Sequence, residues 1–270
     1  MGSLTLKFEA GKKVLIGYVT VGYPDIETTL KVVPLLESAG CDIVELGIPF
    51  SDPIGDGPVI QAASYQALLN GVTTRTCLDV ARQLRCKVKL PLIFMGYYNP
   101  ILSYGIDAFC RDSTETGING LIVPDLPPDE SEVLDAAATD NGLDLVHLLA
   151  PSSTDERIEL VAQKSRGFIY LVSVTGVTGT RDGVPDYLPG FVEKVRQRAS
   201  RPLAIGFGVS SVSQAATMAA MADGVIIGSK LLRLIAEDRS LGKLRDFVTE
   251  ARRALDAKFS CNSKTPMGKK

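Results

Sequence analysis

Short apolar runs rich in β-branched residues recur along the chain at positions 14–20, 42–46, 91–95, 120–123, 143–149, 167–173, 202–206 and 224–227. Unbroken apolar runs of this length read as parallel strands covered on both faces. Between them the pattern turns helical, and start signals recur. Ser153 stands three residues before Glu156, Asp129 before Glu132 and Ser211 before Gln214, which is the spacing of a capping box. Gly40 and Gly142 stand where helices should end, and Pro34 falls inside the first helical stretch, predicting a kink. No linker interrupts the alternation, so residues 1–258 read as one domain, followed by a polar tail over 259–270 that is expected to lack order.

Eight such strands with helical crossovers and a helical C-terminus predict an α/β fold, a single (β/α)8 TIM barrel. The rival is an open doubly wound sheet, whose dinucleotide site would place Gly-x-Gly-x-x-Gly after the first strand. Gly22-Tyr23-Pro24 does not fit that spacing. Composition then narrows the function. A length of 270 residues suits one barrel, and a net charge of −2 gives no footprint for nucleic acid. Basic residues cluster only in the tail, at Lys264, Lys269 and Lys270.

No stretch approaches the roughly 18 uninterrupted apolar residues of a membrane span. Cys41, Cys77, Cys86, Cys110 and Cys261 are scattered without Cys-x-x-Cys spacing, which points to reduced thiols and not to disulfides or zinc. No signal segment precedes the first strand-like run. A cytoplasmic chain is therefore expected, or a stromal one if it is a plant chain that has lost a plastid transit segment.

In a barrel the chemistry sits at the C-terminal ends of the strands. Gly206-Phe207-Gly208 follows the seventh run, Gly228-Ser229 follows the eighth, and Thr175-Gly176-Val177-Thr178-Gly179 follows the sixth. Any one glycine commonly marks only a tight turn. Three such loops at successive strand ends predict a phosphate-bearing ligand held by backbone N–H groups, with the third loop as a lid. Glu45 ends the second run and shares a face with Ile43; its carboxylate reads either as an ion-pair partner or as a functional acid. Asp56, in a loop of turn formers, reads as an Asx turn, as a cap before Pro58 or as a functional group.

Absences matter too. None of the eight runs contains lysine, so a Schiff-base aldolase lacks its nucleophile there. His147 is the single histidine, too few for a multi-histidine zinc site, and it reads as a satisfied core residue. No metal is expected. A phosphate-binding barrel of this kind must work with carboxylates, tyrosines and electrostatics.

The segment from Glu45-Leu46-Gly47-Ile48-Pro49-Phe50-Ser51-Asp52-Pro53-Ile54-Gly55-Asp56 to Gly57-Pro58-Val59-Ile60-Gln61 resembles the signature of the tryptophan synthase alpha subunit family. Thr20-Val21-Gly22-Tyr23-Pro24-Asp25, Met95-Gly96-Tyr97-Tyr98-Asn99-Pro100, Val123-Pro124-Asp125-Leu126-Pro127 and the run from Tyr170 to Gly179 extend the resemblance over nearly the whole chain, in the family's order. It implies retro-aldol cleavage of indole-3-glycerol phosphate into indole and glyceraldehyde 3-phosphate. By the same resemblance Glu45 and Asp56 are the catalytic carboxylates, and Tyr170 is an active-site tyrosine beside them. Gly179, Gly206, Gly208, Gly228 and Ser229 hold the phosphate, while Tyr18, Phe94 and Leu126 wall the indole pocket. Asp125 orders the lid through Thr178. Tyr18 stands where some members carry phenylalanine, and Thr175 varies as well.

The resemblance further implies a beta subunit as partner in an alpha2beta2 heterotetramer, docking around Ser51 to Ile54, Asn99-Pro100 and the Thr178 lid. It implies no cofactor on this chain, with pyridoxal phosphate only on the beta subunit. The nearest alternative is a stand-alone lyase releasing free indole. A more distant one is another phosphosugar barrel, and one of another class is a non-catalytic barrel that regulates a beta subunit.

Overall fold

The computed structural model describes residues 4–8, 12–173, 184–206 and 208–259. The chain opens with α1 (Thr5–Phe8), β1 (Val14–Thr20), α2 (Ile26–Ala39), β2 (Ile43–Gly47), α3 (Pro58–Leu69) and α4 (Thr74–Arg85). Next come β3 (Leu92–Met95), α5 (Tyr98–Tyr104), α6 (Ile106–Glu115), β4 (Gly120–Ile122), α7 (Glu132–Asp140), β5 (Asp144–Val146) and β6 (Leu148–Leu149). The second half holds α8 (Asp155–Lys164), β7 (Ile169–Val172), α9 (Leu188–Arg196), β8 (Leu203–Gly206), α10 (Val212–Met221), β9 (Gly224–Ile227), α11 (Ser229–Glu237) and α12 (Gly242–Phe259).

All strand pairs are parallel, in the order β5-β4-β3-β2-β1-β9-β8-β7-β6. The expected fifth strand is β5 and β6 together, interrupted at His147. Its first half pairs with β4 and its second half with β7, so one interrupted strand brings the two ends of the sheet together. At the break, His147 N–H donates to Ser165 Oγ at 3.1 Å and its carbonyl accepts from Tyr170 N–H at 3.0 Å. The imidazole is buried as expected but not satisfied. Nε2 has no hydrogen-bond partner among the described residues, and burial holds the ring below its usual pKa.

The strands are buried nearly throughout because the barrel interior covers one face and the helices cover the other. Below β4, β5 and β7, the N-terminal segment packs against the barrel floor. Thr5 Oγ1 donates to the Gly167 carbonyl at 3.4 Å, and the Phe8 and Phe168 rings lie 5.5 Å apart.

Several helix starts differ from their expected places. Ser211 caps α10 by accepting from Gln214 N–H, as the spacing predicts. For α8 the cap is Thr154, since the Ser153 hydroxyl is engaged by Ala150 N–H. α7 begins after Ser131, because Asp129 turns outward to an ion pair with Arg157 at 2.9 Å. Pro34 sits inside α2, which runs as helix from Ile26 to Ala39 and ends at Gly40.

Candidate active site

Glu45 lies in the middle of β2, fully buried, and neither carboxylate oxygen has a hydrogen-bond partner among the described residues. The ion-pair reading is therefore excluded within them. Its charge bears on the phenols of Tyr18 on β1 and Tyr170 on β7, strands far apart in the sheet order. A side chain can meet both only from the barrel interior. Burial pushes the Glu45 carboxyl up to about 8, because desolvation penalises the charged form. At neutral pH Glu45 is therefore held as a neutral acid.

Asp56 hangs from the loop that follows β2. The helix-cap reading fails, since Gly57 occupies the N-cap of α3. The Asp56 carboxylate instead turns inward, where the Tyr97 hydroxyl donates to Oδ2 at 3.1 Å. That hydroxyl also accepts from Gly55 N–H at 3.0 Å, and Gln61 Nε2 donates to the Asp56 carbonyl at 2.9 Å. Burial pushes Asp56 up to about 6, opposed by the Tyr97 hydrogen bond. The two carboxyls thus differ in charge at pH 7, which is how environments sort an acid from an anion. In the sequence Tyr97 stands out only as part of the Met95–Pro100 motif. Its place just after β3, at the C-terminal end of a barrel strand, was the available signal.

Two tyrosines flank this pair in matching ways. Tyr18 faces Glu45 across the β1–β2 ladder and leans over Gly47, two residues further on. Tyr170 faces Ala204 across β7–β8 and leans over Gly206. A Cβ at either glycine would collide with the tyrosine hydroxyl. The Tyr18 hydroxyl also lies 3.3 Å from Thr20 Oγ1. Desolvation and the nearby carboxylates push both phenols upward, so both stay protonated donors.

Phe94 does not join them. Its β3 neighbour Ile93 is the one in register with Glu45, so Ile93 and Met95 face the interior and Phe94 faces the helices. There its ring lies 6.0 Å from Phe109 of α6. Phe94, expected as a pocket wall, therefore lies on the outer face, and Met95, opposite Gly47, faces the interior.

At the two loops expected to hold phosphate, Gly206 ends β8, Gly208 adopts a left-handed φ of 84°, and Gly228 caps α11, which begins at Ser229. β8 and β9 are paired, so the two loops are neighbours. The α11 N-terminus supplies unpaired backbone N–H groups there. Gly179 and Thr178, together with Thr175, lie outside the described residues. Leu126 and Asp125 line a cleft of about 530 Å³ with Phe50, Asp52, Tyr97 and Asn99. Asp125 Oδ1 accepts from Tyr98 N–H at 2.9 Å, fixing the start of α5. Among the described residues no group of three or more His, Cys, Asp or Glu side chains could hold a metal, and no helix is long and apolar enough to cross a membrane.

The family model described as "Tryptophan synthase alpha chain" matches residues 5–259. The chain belongs to the tryptophan synthase alpha chain family. It is 57% identical to the Dehalococcoides mccartyi tryptophan synthase alpha chain over 91% of this chain and 96% of that one. It is 44% identical to that of Geobacter sulfurreducens, over 90% and 94%. Among solved structures, the tryptophan synthase subunit alpha of Legionella pneumophila superposes with a TM-score of 0.88 at 33% identity, covering 95% of this chain and 99% of that one. A chain of Mycobacterium tuberculosis tryptophan synthase gives 0.88 at 40%, covering 94% and 98%.

Proposed function

We propose that this chain cleaves indole-3-glycerol phosphate by a retro-aldol reaction into indole and glyceraldehyde 3-phosphate. The observation that carries the reading is the split pair, a neutral Glu45 and an ionised Asp56 inside one barrel mouth. Glu45 donates its proton to indole C3, which creates an indoleninium that can accept the bonding electrons. Asp56 accepts a hydrogen bond from the ring N–H and balances its developing charge. The resulting Glu45 carboxylate removes the proton of the side-chain hydroxyl next to C3, the C–C bond breaks, and Glu45 regains its acid form. Tyr18 and Tyr170 flank the carboxyls in a water-poor pocket, with Met95 and Leu126 against the ring. The phosphate rests on the backbone of Gly206, Gly208 and Gly228 and on Ser229.

A beta subunit docks on the face made by residues 51–54 and Asn99-Pro100, where Ile54 is 81% exposed. The reaction belongs to tryptophan biosynthesis, draws on no cofactor of this chain and runs in the cytoplasm.

The test is indole release from indole-3-glycerol phosphate, with and without a beta subunit. Slow release alone and fast release with the partner supports the reading. Fast, partner-independent release would mark a stand-alone lyase, and no release under either condition would overturn the catalytic assignment.

A further inference from the structure

On the outer wall of the barrel, α4, α5 and α6 border a groove of about 520 Å³ whose lining includes Thr73, Arg75, Pro100, Ser103, Tyr104 and Arg111. The Tyr104 hydroxyl donates to Asp112 Oδ2 at 2.6 Å, while Arg111 Nε and Nη2 donate to Oδ1 at 3.1 and 3.0 Å. Both Asp112 oxygens are thus engaged. The Arg75 guanidinium lies 5.4 Å from the Tyr104 ring centroid, and among the described residues it has no hydrogen bond or ion pair.

Arg75 is also misplaced for helix stability. It stands in the first turn of α4, which holds no acidic residue, and a cation there opposes the helix dipole. The groove therefore keeps a guanidinium whose N–H donors are unused among the described residues, while its charge bears on the Tyr104 ring and on Asp112.

Two features identify the occupant. Two arginines against one engaged aspartate leave the groove net positive, so what fills it is acidic. It is also continuous with the proposed docking face, since Pro100 and Ser103 belong to α5 and neighbouring Leu102 is 52% exposed. We propose that an acidic segment of the beta subunit seats in this groove, pairing its carboxylates with Arg75 and Arg111. The proposal rests on the hetero-assembly reading above. It also joins docking to chemistry: Tyr104 ends α5, and Tyr97, the residue that caps its start, holds Asp56.

The experiment titrates the full chain with the beta subunit of Dehalococcoides mccartyi, source of the 57%-identical relative, at low and moderate salt. Wild type, Arg75→Glu, Arg75→Lys and Arg111→Glu are compared, and each isolated chain is assayed for unaided indole release. Arg75→Glu should weaken association at least tenfold and flatten its salt dependence, with unaided release unchanged and Tm not lowered. Arg75→Lys should recover part of the affinity. Wild-type affinity and salt dependence in both Glu variants would overturn the groove while leaving the hetero-assembly intact. Absence of binding by the wild type would overturn the assembly reading itself. Binding of inorganic phosphate to the isolated chain that Arg75→Glu abolishes, with partner affinity unchanged, would make this a small-anion site and overturn the proposal.

Discussion

The Tyr170 hydroxyl fills the space that a side chain on Gly206 would occupy. Gly206 thus answers to the tyrosine as well as to any phosphate. A methyl group there must push the phenol out of a closely packed interior, and overpacking of this kind costs about 1–3 kcal/mol. Gly206→Ala should lower stability by that amount in urea denaturation and reduce kcat at least tenfold. If the glycine served only the phosphate, the substrate KM would rise while kcat stayed near wild type.

The split between the carboxyls sets the pH dependence. With Asp56 pushed up to about 6 and Glu45 to about 8, the productive protonation state predominates between those values. The kcat/KM of the isolated chain should be bell-shaped, rising through about pH 6 and falling through about pH 8. Tyr97→Phe removes the hydrogen bond that holds Asp56 down. Its rising limb should move to higher pH, and activity at pH 7 should drop by about tenfold, the scale of one hydrogen bond to a charged group. A limb that stays in place would mean that Tyr97 does not act on Asp56.

Burying Glu45 also makes the fold sensitive to pH. An acid whose folded pKa lies above its unfolded value binds more protons in the folded state, so stability falls as pH rises through that interval. For Glu45 the interval runs from 4.5 to about 8. Glu45→Gln cannot ionise and escapes the loss. At pH 8 it should be more stable than wild type by on the order of 4 kcal/mol, with the gain fading towards pH 4.5, while lyase activity disappears. Equal stabilities at pH 5 and pH 8 would show that the Glu45 carboxylate finds a partner in solution.

The strand count and parallel order were legible because apolar runs bounded by turn formers carry them locally. The split at His147 was not, since residues 143–149 read as one run while their pairing partners change from β4 to β7. Glu45 and Asp56 were legible as candidates but not as a pair with opposite charge states, which depends on burial and on a phenol 41 residues away. The helix starts slipped where a second capper stood next to the expected one, as Thr154 does beside Ser153. Phe94 was misplaced although the period-two rule, applied outward from Glu45, would have turned it to the helices.

That correction separates two neighbouring residues. Phe94 belongs to the layer between barrel and helices, packed on Phe109, whereas Met95 faces the pocket opposite Gly47. Phe94→Ala empties a core site and should cost about 3–5 kcal/mol, seen as a lower urea midpoint. The protein that remains folded should keep the substrate KM. Met95→Ala removes a wall of the ring pocket, and should raise KM for indole-3-glycerol phosphate several-fold with a smaller loss of stability. Steady-state kinetics at a temperature where both variants are folded distinguishes the two. A raised KM in Phe94→Ala with Met95→Ala unaffected would return Phe94 to the pocket and invert the β3 register described here.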